Sequence, residues 1–568
     1  MLQLNLGILG NLESQLKTNL LEHTISLHQV GFGLMDRHKK AVATIATDVR
    51  RFYQLQQPFR IYHGSTNSTR PSSIQRDKMI DVSGLSHVLE VDTESKTVLV
   101  EPNVPMDQLV EATLKYGLIP PVVMEFPGIT VGGGFAGTGG ESSSFKYGFF
   151  ESTVNWIEIV LADGQVVHAS KAELPDLFHG AAGTFGTLGV TTLLELRLVK
   201  ATTHVELTYN SVATFPEAIQ KLRLAEADPS NDFVDGVLFA KDRGVVVVGR
   251  LKNISQNDTS IRIQRFSRAR DPWFYLHAEQ TVDSSTPVFK EAVPLVDYLF
   301  RYDRGGFWVG YYAFKYFKTP FNRVTRWALD KYMHTRVMYH ALHESGHSQT
   351  YIIQDLALPY STVQNFLEYV NKSFGFYPLW LCPLRPSGQI SLHPHNANGQ
   401  YLNVGLWGPG PSSHDAFVRA NRQLEDKVRV LSGMKCLYAH TYYTEDEFWN
   451  IYDRKWYDAL RVKYNATTLP SVYDKVKIDL DAQRRRSVSG IWAIWPLSGL
   501  YGVAKAVVGS DYILSTKGRG VRGLGCLFSV LVLLLNLLTV LFCRVGNSTW
   551  LESMAGWLAP PARKGRLQ

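Results

Sequence analysis

The sequence predicts an α+β fold, and two features lead to this prediction. Short strand-like apolar runs alternate with single helical patterns, and three loops rich in glycine and hydroxyl residues separate them. The densest loop covers residues 130–144, TVGGGFAGTGGESSS, where six of the nine residues from Gly132 to Gly140 are glycine. Amides without a neighbouring Cβ can approach a ligand closely and form a concave anion site. We therefore interpret this loop as a phosphate-binding segment rather than a linker.

The predicted elements follow one another in a simple order. Residues 20–60 space apolar side chains three and four apart, which predicts a helix. A second polar loop covers residues 63–71, and a third, glycine-rich loop covers residues 183–189. The pair Asp163-Gly164 favours the tight turn of a β-hairpin. The predicted strands are residues 59–62, 79–82, 88–91, 97–100, 154–161, 165–169 and 190–199, and the remaining helical patterns are residues 104–116 and 173–178.

A dinucleotide-binding Rossmann unit is the main alternative for the glycine-rich loop, since Gly132, Gly134 and Gly137 match the GxGxxG spacing. That motif requires a helix that opens directly from the loop and an acidic residue that closes the next strand. Here the loop leads into the predicted hairpin, and the acid at a suitable distance, Asp163, is a turn residue. We therefore interpret the match as accidental.

Composition and charge exclude several classes of protein. With 45% hydrophobic and 19% charged residues, the chain is globular rather than disordered. The net charge of +8 is modest, and the basic residues between positions 484 and 522 precede a long apolar run. This placement favours a membrane surface and argues against nucleic acid as a partner. The four cysteines form no CxxC pair, so we expect neither a disulfide framework nor a metal site.

The C-terminal region predicts a membrane anchor. Residues 523–543 are 21 consecutive positions without a charged side chain, which is long enough to cross a bilayer. Positive residues are denser before this run than after it, which favours a cytosolic main body. We therefore expect a single-pass membrane protein. The first 15 residues lack a sustained apolar core and do not resemble a secretory signal.

Aromatic side chains concentrate in the middle of the chain, notably at residues 307–317, 374–380 and 438–449. Two interpretations remain open for this region. It forms the walls of a large apolar pocket, or it forms an ordinary aromatic-rich core. Spacing alone does not decide between them.

Residues 128–152, GITVGGGFAGTGGESSSFKYGFFES, closely resemble the flavin loop of the Δ24-sterol reductases. These enzymes belong to the vanillyl-alcohol-oxidase superfamily, which has a PCMH-type FAD-binding domain. The resemblance covers roughly residues 20–480 in register, and its matches in the aromatic-rich region matter most, because the flavin loop alone would indicate only the superfamily. The further matching stretches are residues 158–164, 176–178, 186–189, 377–383, 393–394, 437–439 and 445–449.

The resemblance implies a division into domains. Residues 20–203 would form a PCMH-type FAD-binding domain of two α/β subdomains, and residues 204–480 would form an α+β substrate cap domain. A basic and aromatic connector at residues 481–522, a C-terminal transmembrane helix at residues 523–543 and a short tail at residues 544–568 would follow. The implied location is the endoplasmic reticulum membrane, with the catalytic domain in the cytosol. Nothing in the sequence indicates an oligomeric state.

The resemblance also implies non-covalent FAD, NADPH as the hydride source and a sterol with a side-chain double bond as the substrate. Covalent attachment of the flavin at His63 is an alternative, since some members of the superfamily attach it covalently. The implied cofactor-binding residues are Thr130, Val131, Gly132, Gly133, Gly134, Phe135, Ala136, Gly137, Thr138, Gly139, Gly140, Glu141, Ser142, Asp163, Gly186 and Gly189.

Reduction of an isolated double bond requires a general acid, because no carbonyl stabilises the carbanion that hydride addition alone would leave. An aromatic wall would tolerate the positive charge that protonation develops on the substrate. Segments that resemble the reductases contain several candidate acids, and no spacing rule selects among them. These candidates are His393, Tyr438, His440, Tyr442 and Glu447.

Two other functions agree with parts of the sequence. An oxidase or dehydrogenase that acts on an alcohol would use the same FAD domain in the opposite direction. A flavin-free membrane scaffold or sterol-binding protein would use the anchor and the apolar region only. A yellow purified protein would exclude the scaffold, whereas a colourless one would support it.

Overall fold

The fold is built from two antiparallel β-sheets, one of five strands and one of eight, with two short strand pairs beside them. Strands and helices are numbered in chain order. The computed structural model describes residues 33–64, 75–255, 257–282, 288–347, 350–386, 392, 399–439, 441–481 and 495–508.

The first part of the chain contains the five-stranded sheet and the two short strand pairs. Its strands are β1 (Arg60–Tyr62), β2 (Met79–Asp81), β3 (Val88–Asp92), β4 (Thr97–Val100), β5 (Leu118–Ile119), β6 (Val154–Leu161), β7 (Val166–Ser170), β8 (Gly189–Arg197) and β9 (Val199–Lys200). Its helices are α1 (residues 33–54), α2 (Met106–Leu114), α3 (Val131–Gly137), α4 (Ser144–Tyr147) and α5 (Pro175–Ala181). The sheet has the antiparallel order β3-β4-β8-β6-β7, while β1 and β2 form a parallel pair and β5 and β9 an antiparallel one.

The structure confirms most of the predicted elements in this part. The hairpin of β6 and β7 turns at Asp163 and Gly164, and Gly164 has a φ of 86°, which favours glycine. Helix α1 buries Val42, Ile45 and Val49, because apolar residues three and four apart share one face. Residues 20–32 of the predicted helix lie outside the described residues. Antiparallel pairing throughout the five-stranded sheet excludes a parallel Rossmann sheet at this position.

The second part of the chain forms the eight-stranded sheet. Its strands are β10 (His204–Val212), β11 (Phe233–Ala240), β12 (Arg243–Lys252), β13 (Val288–Pro294), β14 (Tyr351–Pro359), β15 (Leu379–Leu384), β16 (Tyr401–Pro409) and β17 (Met434–Lys435). Its helices are α6 (Phe215–Ala227), α7 (Phe274–Val282), α8 (Leu295–Leu299), α9 (Val309–Tyr316), α10 (Arg323–Ala328), α11 (Thr335–Glu344), α12 (Val363–Ser373), α13 (His414–Val430), α14 (Glu445–Ile451), α15 (Arg454–Lys463), α16 (Val472–Val476) and α17 (Leu497–Val508). The sheet order is β13-β10-β12-β11-β15-β16-β14-β17, antiparallel throughout.

The two faces of this sheet bury different partners, because successive side chains of a strand point to opposite sides. In β15, Leu379 and Leu381 pack into an outer core with α6, α12 and α13. The alternate residues Trp380 and Cys382 belong to the core that extends into the first part of the chain. Strand alternation therefore directs one face of the large sheet toward the glycine-rich segment.

Helix α17 is the last described element, and it packs closely against α11. A Cβ atom added to Gly502 would lie 2.5 Å from the carbonyl oxygen of Ala341, so a larger residue would separate the two helices. Among the residues that the structure describes, none of the helices has the length and apolar character needed to cross a membrane. The predicted span at residues 523–543 lies outside the described residues.

Candidate active site

A cavity of about 450 Å³ lies between the glycine-rich segment and the large sheet. The glycine-rich segment, His63 and residues 184–189 contribute one wall, and the inward face of the large sheet contributes the other. Its principal lining residues are His63, Thr130, Gly133, Gly137, Thr184, Gly186, Phe307, Tyr339, Asp355, Trp380, Asn403, Trp407, Tyr438 and Lys475. The cavity therefore joins residues that lie more than 300 positions apart in sequence.

The sequence predicted a loop for the whole glycine-rich segment. In the structure, residues Val131–Gly137 of this segment form helix α3. Thr130 caps this helix, its side chain accepting a hydrogen bond of 3.1 Å from the amide of Gly133. The low helix propensity of glycine is overcome by packing. A Cβ atom on Gly132 would lie 2.7 Å from Cβ of Pro102, so the helix fits only without a side chain there.

Other glycines of the segment leave room on the cavity side. A Cβ atom added to Gly137 would have Phe185 as its nearest neighbour, at an ordinary contact distance of 3.8 Å. Gly137 lines the cavity, so a side chain there would take space that a ligand can use. The segment thus combines glycines that the fold requires with glycines that keep the cavity open.

The predicted cofactor-binding residues divide into three groups. Val131 and Phe135 are buried in the core beneath the segment, and Glu141 and Ser142 are buried behind it. Asp163 lies in the hairpin turn, where it accepts a hydrogen bond of 2.9 Å from Nδ2 of Asn465, and it does not line the cavity. The residues that do line the cavity are Thr130, Gly132, Gly133, Gly134, Ala136, Gly137, Thr138, Gly139, Gly140, Gly186 and Gly189.

The first wall has the donors and the charge that a phosphate-containing cofactor requires. Arg60 and Lys475 both line the cavity and bring two cations to it. His63 lies beside them, and burial together with the Lys475 charge lowers its pKa to about 4, so its imidazole is neutral. Its Nδ1 is buried and has no hydrogen-bond partner among the described residues. These donors and the open side of α3 fit FAD.

The sequence analysis missed Arg60 and Lys475 as members of this wall. Arg60 stands in a short strand, and Lys475 lies in α16, far from any glycine motif. A basic residue carries no local signal of the cavity that it faces, so only the fold could identify them.

The opposite wall contains a buried acid cluster. Asp355 accepts a hydrogen bond of 2.5 Å from the hydroxyl of Tyr438 and one of 2.7 Å from Nδ2 of Asn403. Burial raises the pKa of Asp355 to about 6, because these hydrogen bonds only partly offset the loss of water. Burial and the Asp355 carboxylate raise the pKa of Tyr438 well above its usual range. The cluster can therefore hold a proton near neutral pH.

The five acid candidates from the sequence have different positions. Tyr438 lines the cavity, as described above. Tyr442 is buried in the outer core, and Glu447 closes the capping box of α14 and binds Arg422 at 2.8 Å. His393 and His440 lie outside the described residues. Asp355 and Asn403 were not among the candidates, since neither belongs to a recognisable motif.

Aromatic side chains form the rest of this wall. The ring of Phe307 lies 4.3 Å from that of Trp407 and 5.1 Å from that of Trp380, and all three line the cavity. Trp308 and Phe314, from the same sequence cluster, are buried in the core instead. Both interpretations of the aromatic-rich region are thus correct for part of it.

A buried hydrogen-bond network around Arg301 connects the two walls of the cavity. Arg301 donates to Asp235 at 2.8 Å and to the hydroxyl of Ser142 at 3.3 Å, and Ser142 donates to Glu141 at 2.7 Å. Glu125 lines the cavity next to this network. Burial and the nearby Glu141 raise the pKa of Glu125 well above its usual range.

Comparisons with known proteins agree with this geometry. Residues 39–170 match the family described as an FAD binding domain. The Delta(24)-sterol reductase of Homo sapiens is 31% identical over 397 residues, which are 69% of this chain and 76% of that protein. The chain belongs to the Δ24-sterol reductase family. The Arabidopsis thaliana Delta(24)-sterol reductase is 30% identical over 437 residues, covering 70% of this chain and 76% of that protein.

The extent of the match differs between these relatives. The Caenorhabditis elegans Delta(24)-sterol reductase homolog is 28% identical over 452 residues, covering 74% of this chain and 81% of that protein. Cytokinin dehydrogenase 9 of Oryza sativa is 32% identical over only 137 residues, 24% of this chain and 26% of that protein. The Δ24-sterol reductase likeness thus extends well beyond the FAD-binding domain, and the resemblance seen in the sequence is confirmed.

Two glycine substitutions should separate the fold from cofactor binding. Gly132→Ala should lower the free energy of unfolding by about 1–3 kcal/mol, because its Cβ would overlap the rigid Pro102 ring. Gly137→Leu should leave the unfolding of FAD-free protein unchanged but remove most of the bound FAD, because its side chain would enter the cavity. Thermal unfolding and flavin absorbance per protein measure the two effects. A fully yellow Gly137→Leu protein would show that FAD does not lie against α3.

Proposed function

We propose that this protein is an FAD-dependent reductase that hydrogenates a side-chain double bond of a sterol and takes its hydride from NADPH. The observation that carries the proposal is the pairing, in one cavity, of a phosphate-binding wall with a buried acid cluster set among aromatic rings. Membership of the Δ24-sterol reductase family supports the same substrate class. An alcohol oxidase would use the same cluster in its ionised form, as a base, so the direction of the reaction is decided by the tests below.

The acid cluster can provide the proton donor that the proposed reaction requires. With Asp355 ionised, the Tyr438 hydroxyl donates its proton in a hydrogen bond to Oδ2 of Asp355, so this proton cannot be directed at the substrate. With Asp355 protonated, the carboxyl group donates to the tyrosine oxygen, and the Tyr438 proton becomes available to the substrate. A pKa of about 6 for Asp355 lets both states exist near neutral pH. Asn403 holds the other carboxylate oxygen in place.

The remaining walls orient the substrate and exclude water. FAD, when bound, supplies the hydride transfer that reduces the carbon–carbon double bond. Thr130, the α3 amides, Arg60 and Lys475 would hold its phosphates, and we propose that binding is non-covalent. Phe307 and Trp407 line the cavity, and aromatic rings beside the substrate can stabilise positive charge that develops on a protonated olefin.

We also propose the domain and membrane arrangement. Residues 20–203 form the cofactor-binding unit and residues 204–480 the substrate cap, with the cavity between them. Residues 523–543 anchor the protein in the endoplasmic reticulum membrane, and the catalytic part faces the cytosol. The uncharged length of this segment and the basic residues before it support the anchor.

The central test uses membranes from cells that express the full chain. With NADPH and a sterol that has an unsaturated side chain, mass spectrometry should detect a product two hydrogens heavier. We propose that NADPH and the sterol occupy the same cavity in turn. NADPH alone should therefore bleach the flavin of the purified protein. A yellow protein that forms no product and is not bleached by NADPH would favour the alcohol oxidase instead.

Substitutions in the acid cluster should slow the reduction step. Asp355→Asn and Tyr438→Phe should each lower the single-turnover rate of pre-reduced protein by about 10²–10³-fold, the usual contribution of a general acid. The wild-type rate should fall as pH rises through about 6, because the protonated form of Asp355 is then lost, and Asp355→Asn should lack this dependence.

Tyr442→Phe is the matched control for these variants, since it removes a candidate hydroxyl outside the cavity. Its single-turnover rate should equal that of the wild type. A Tyr438→Phe protein that keeps the wild-type rate and pH profile would place the proton donor elsewhere.

Removal of the predicted anchor should change the location of the protein. A chain that ends before residue 523 should move from the carbonate-washed membrane pellet to the supernatant, because its main apolar span is gone. A wild-type chain that carbonate releases would contradict an integral anchor.

A further inference from the structure

A second, apolar cavity of about 130 Å³ adjoins the first. Phe126, Phe307, Tyr339 and Trp407 line both cavities, so the two cavities meet at these four side chains. Helices α9, α11 and α17 enclose the second cavity on its far side. An elongated substrate whose reacting end lies in the first cavity would therefore extend into the second.

Strand β14 runs beside both cavities and gives their separation. Asp355 lines the first cavity, whereas Ile353 and Tyr351 line the second. These three residues alternate along the strand and so point to the same side of the sheet. Four strand residues span about 13 Å, which is the separation along the strand between Asp355 and Tyr351.

The far end of the second cavity contains a polar cluster in otherwise apolar surroundings. The hydroxyl of Ser498 lies 3.1 Å from that of Tyr316 and 3.2 Å from Nε2 of His347. The rings of Tyr316 and His347 are 4.6 Å apart, and both residues line the cavity. Burial lowers the pKa of His347, so its neutral imidazole can donate or accept one hydrogen bond.

We propose that Tyr316 and His347 bind the ring hydroxyl group of the sterol, and that Ser498 positions them. The inference rests on the proposed function. A sterol carries its hydroxyl and its side-chain double bond at opposite ends, which corresponds to the placement of the polar cluster and the acid cluster. A hydroxyl group that leaves water costs free energy unless it finds a hydrogen-bond partner, and this cluster provides one.

This site would make the protein recognise both ends of its substrate. The acid cluster acts on the double bond, while the polar cluster selects sterols with a free hydroxyl and sets how deeply they enter. Ser498 lies in α17, which is the described helix nearest in sequence to the predicted membrane span. The C-terminal region would therefore contribute to substrate recognition.

Tyrosine-to-phenylalanine substitutions on α9 provide a matched test. Tyr312 and Tyr316 are four residues apart and line the same cavity, but only Tyr316 belongs to the polar cluster. Binding of a side-chain-unsaturated sterol and of its 3-deoxy analogue is measured by quenching of tryptophan fluorescence in detergent-solubilised full-length protein. Turnover of both sterols with NADPH is measured in parallel.

The wild type should bind the hydroxylated sterol about tenfold more tightly than the 3-deoxy analogue, the usual contribution of about one to two hydrogen bonds. Tyr316→Phe should reduce this ratio roughly fivefold, Ser498→Ala should also reduce it, and Tyr312→Phe should preserve it. Because each ratio compares two ligands on one protein, a general loss of folded protein cancels.

The two proposals fail in different ways. Equal affinities of the wild type for the two sterols, or a ratio that Tyr316→Phe leaves unchanged, would overturn the hydroxyl site even if turnover is normal. Absence of turnover with an intact affinity ratio would overturn the reductase and keep the hydroxyl site. Absence of binding for both sterols would overturn the hydroxyl site as well.

Discussion

The candidate active site depends on a buried ion pair that joins the large sheet to the glycine-rich segment. Arg301 is only 1% exposed, and its guanidinium connects Asp235 of the large sheet with Ser142 at the end of the glycine-rich segment. Tyr302 and Trp380 donate to the same carboxylate at 3.0 and 3.1 Å. Loss of one member of such a pair leaves an uncompensated buried charge, which costs about 3–5 kcal/mol. The network therefore fixes the distance between the two walls of the cavity.

This fixed distance gives the cavity its chemistry. Asp355 and Tyr438 come from the large sheet and the segment after it, whereas the phosphate-binding wall comes from the first part of the chain. The raised pKa of Asp355 results from its burial within the large sheet. The aromatic rings beside it exclude water without introducing a competing acid or base. The acid cluster and the glycine-rich wall thus come together in one packing arrangement.

The sequence was most informative where short-range patterns determine structure. The β6–β7 hairpin followed from an Asp-Gly pair, and the strands followed from alternating apolar residues. It was wrong about the glycine-rich segment, in which seven residues form a helix despite four glycines. Propensity opposes that helix, whereas the close contact of Gly132 with Pro102 leaves no space for a side chain there. Such tertiary effects carry no local signal.

The sequence alone determined the family, the FAD-binding domain and the α+β class, because glycine spacing, hairpin chemistry and the Δ24-sterol reductase resemblance are all written in contiguous residues. Only the tertiary structure placed Tyr438 in the cavity beside Asp355, while it placed Glu447 in a helix cap. Asp355 and Tyr438 are 83 positions apart. A proton donor is defined by burial and by its neighbours across the cavity, and those properties arise when distant strands meet.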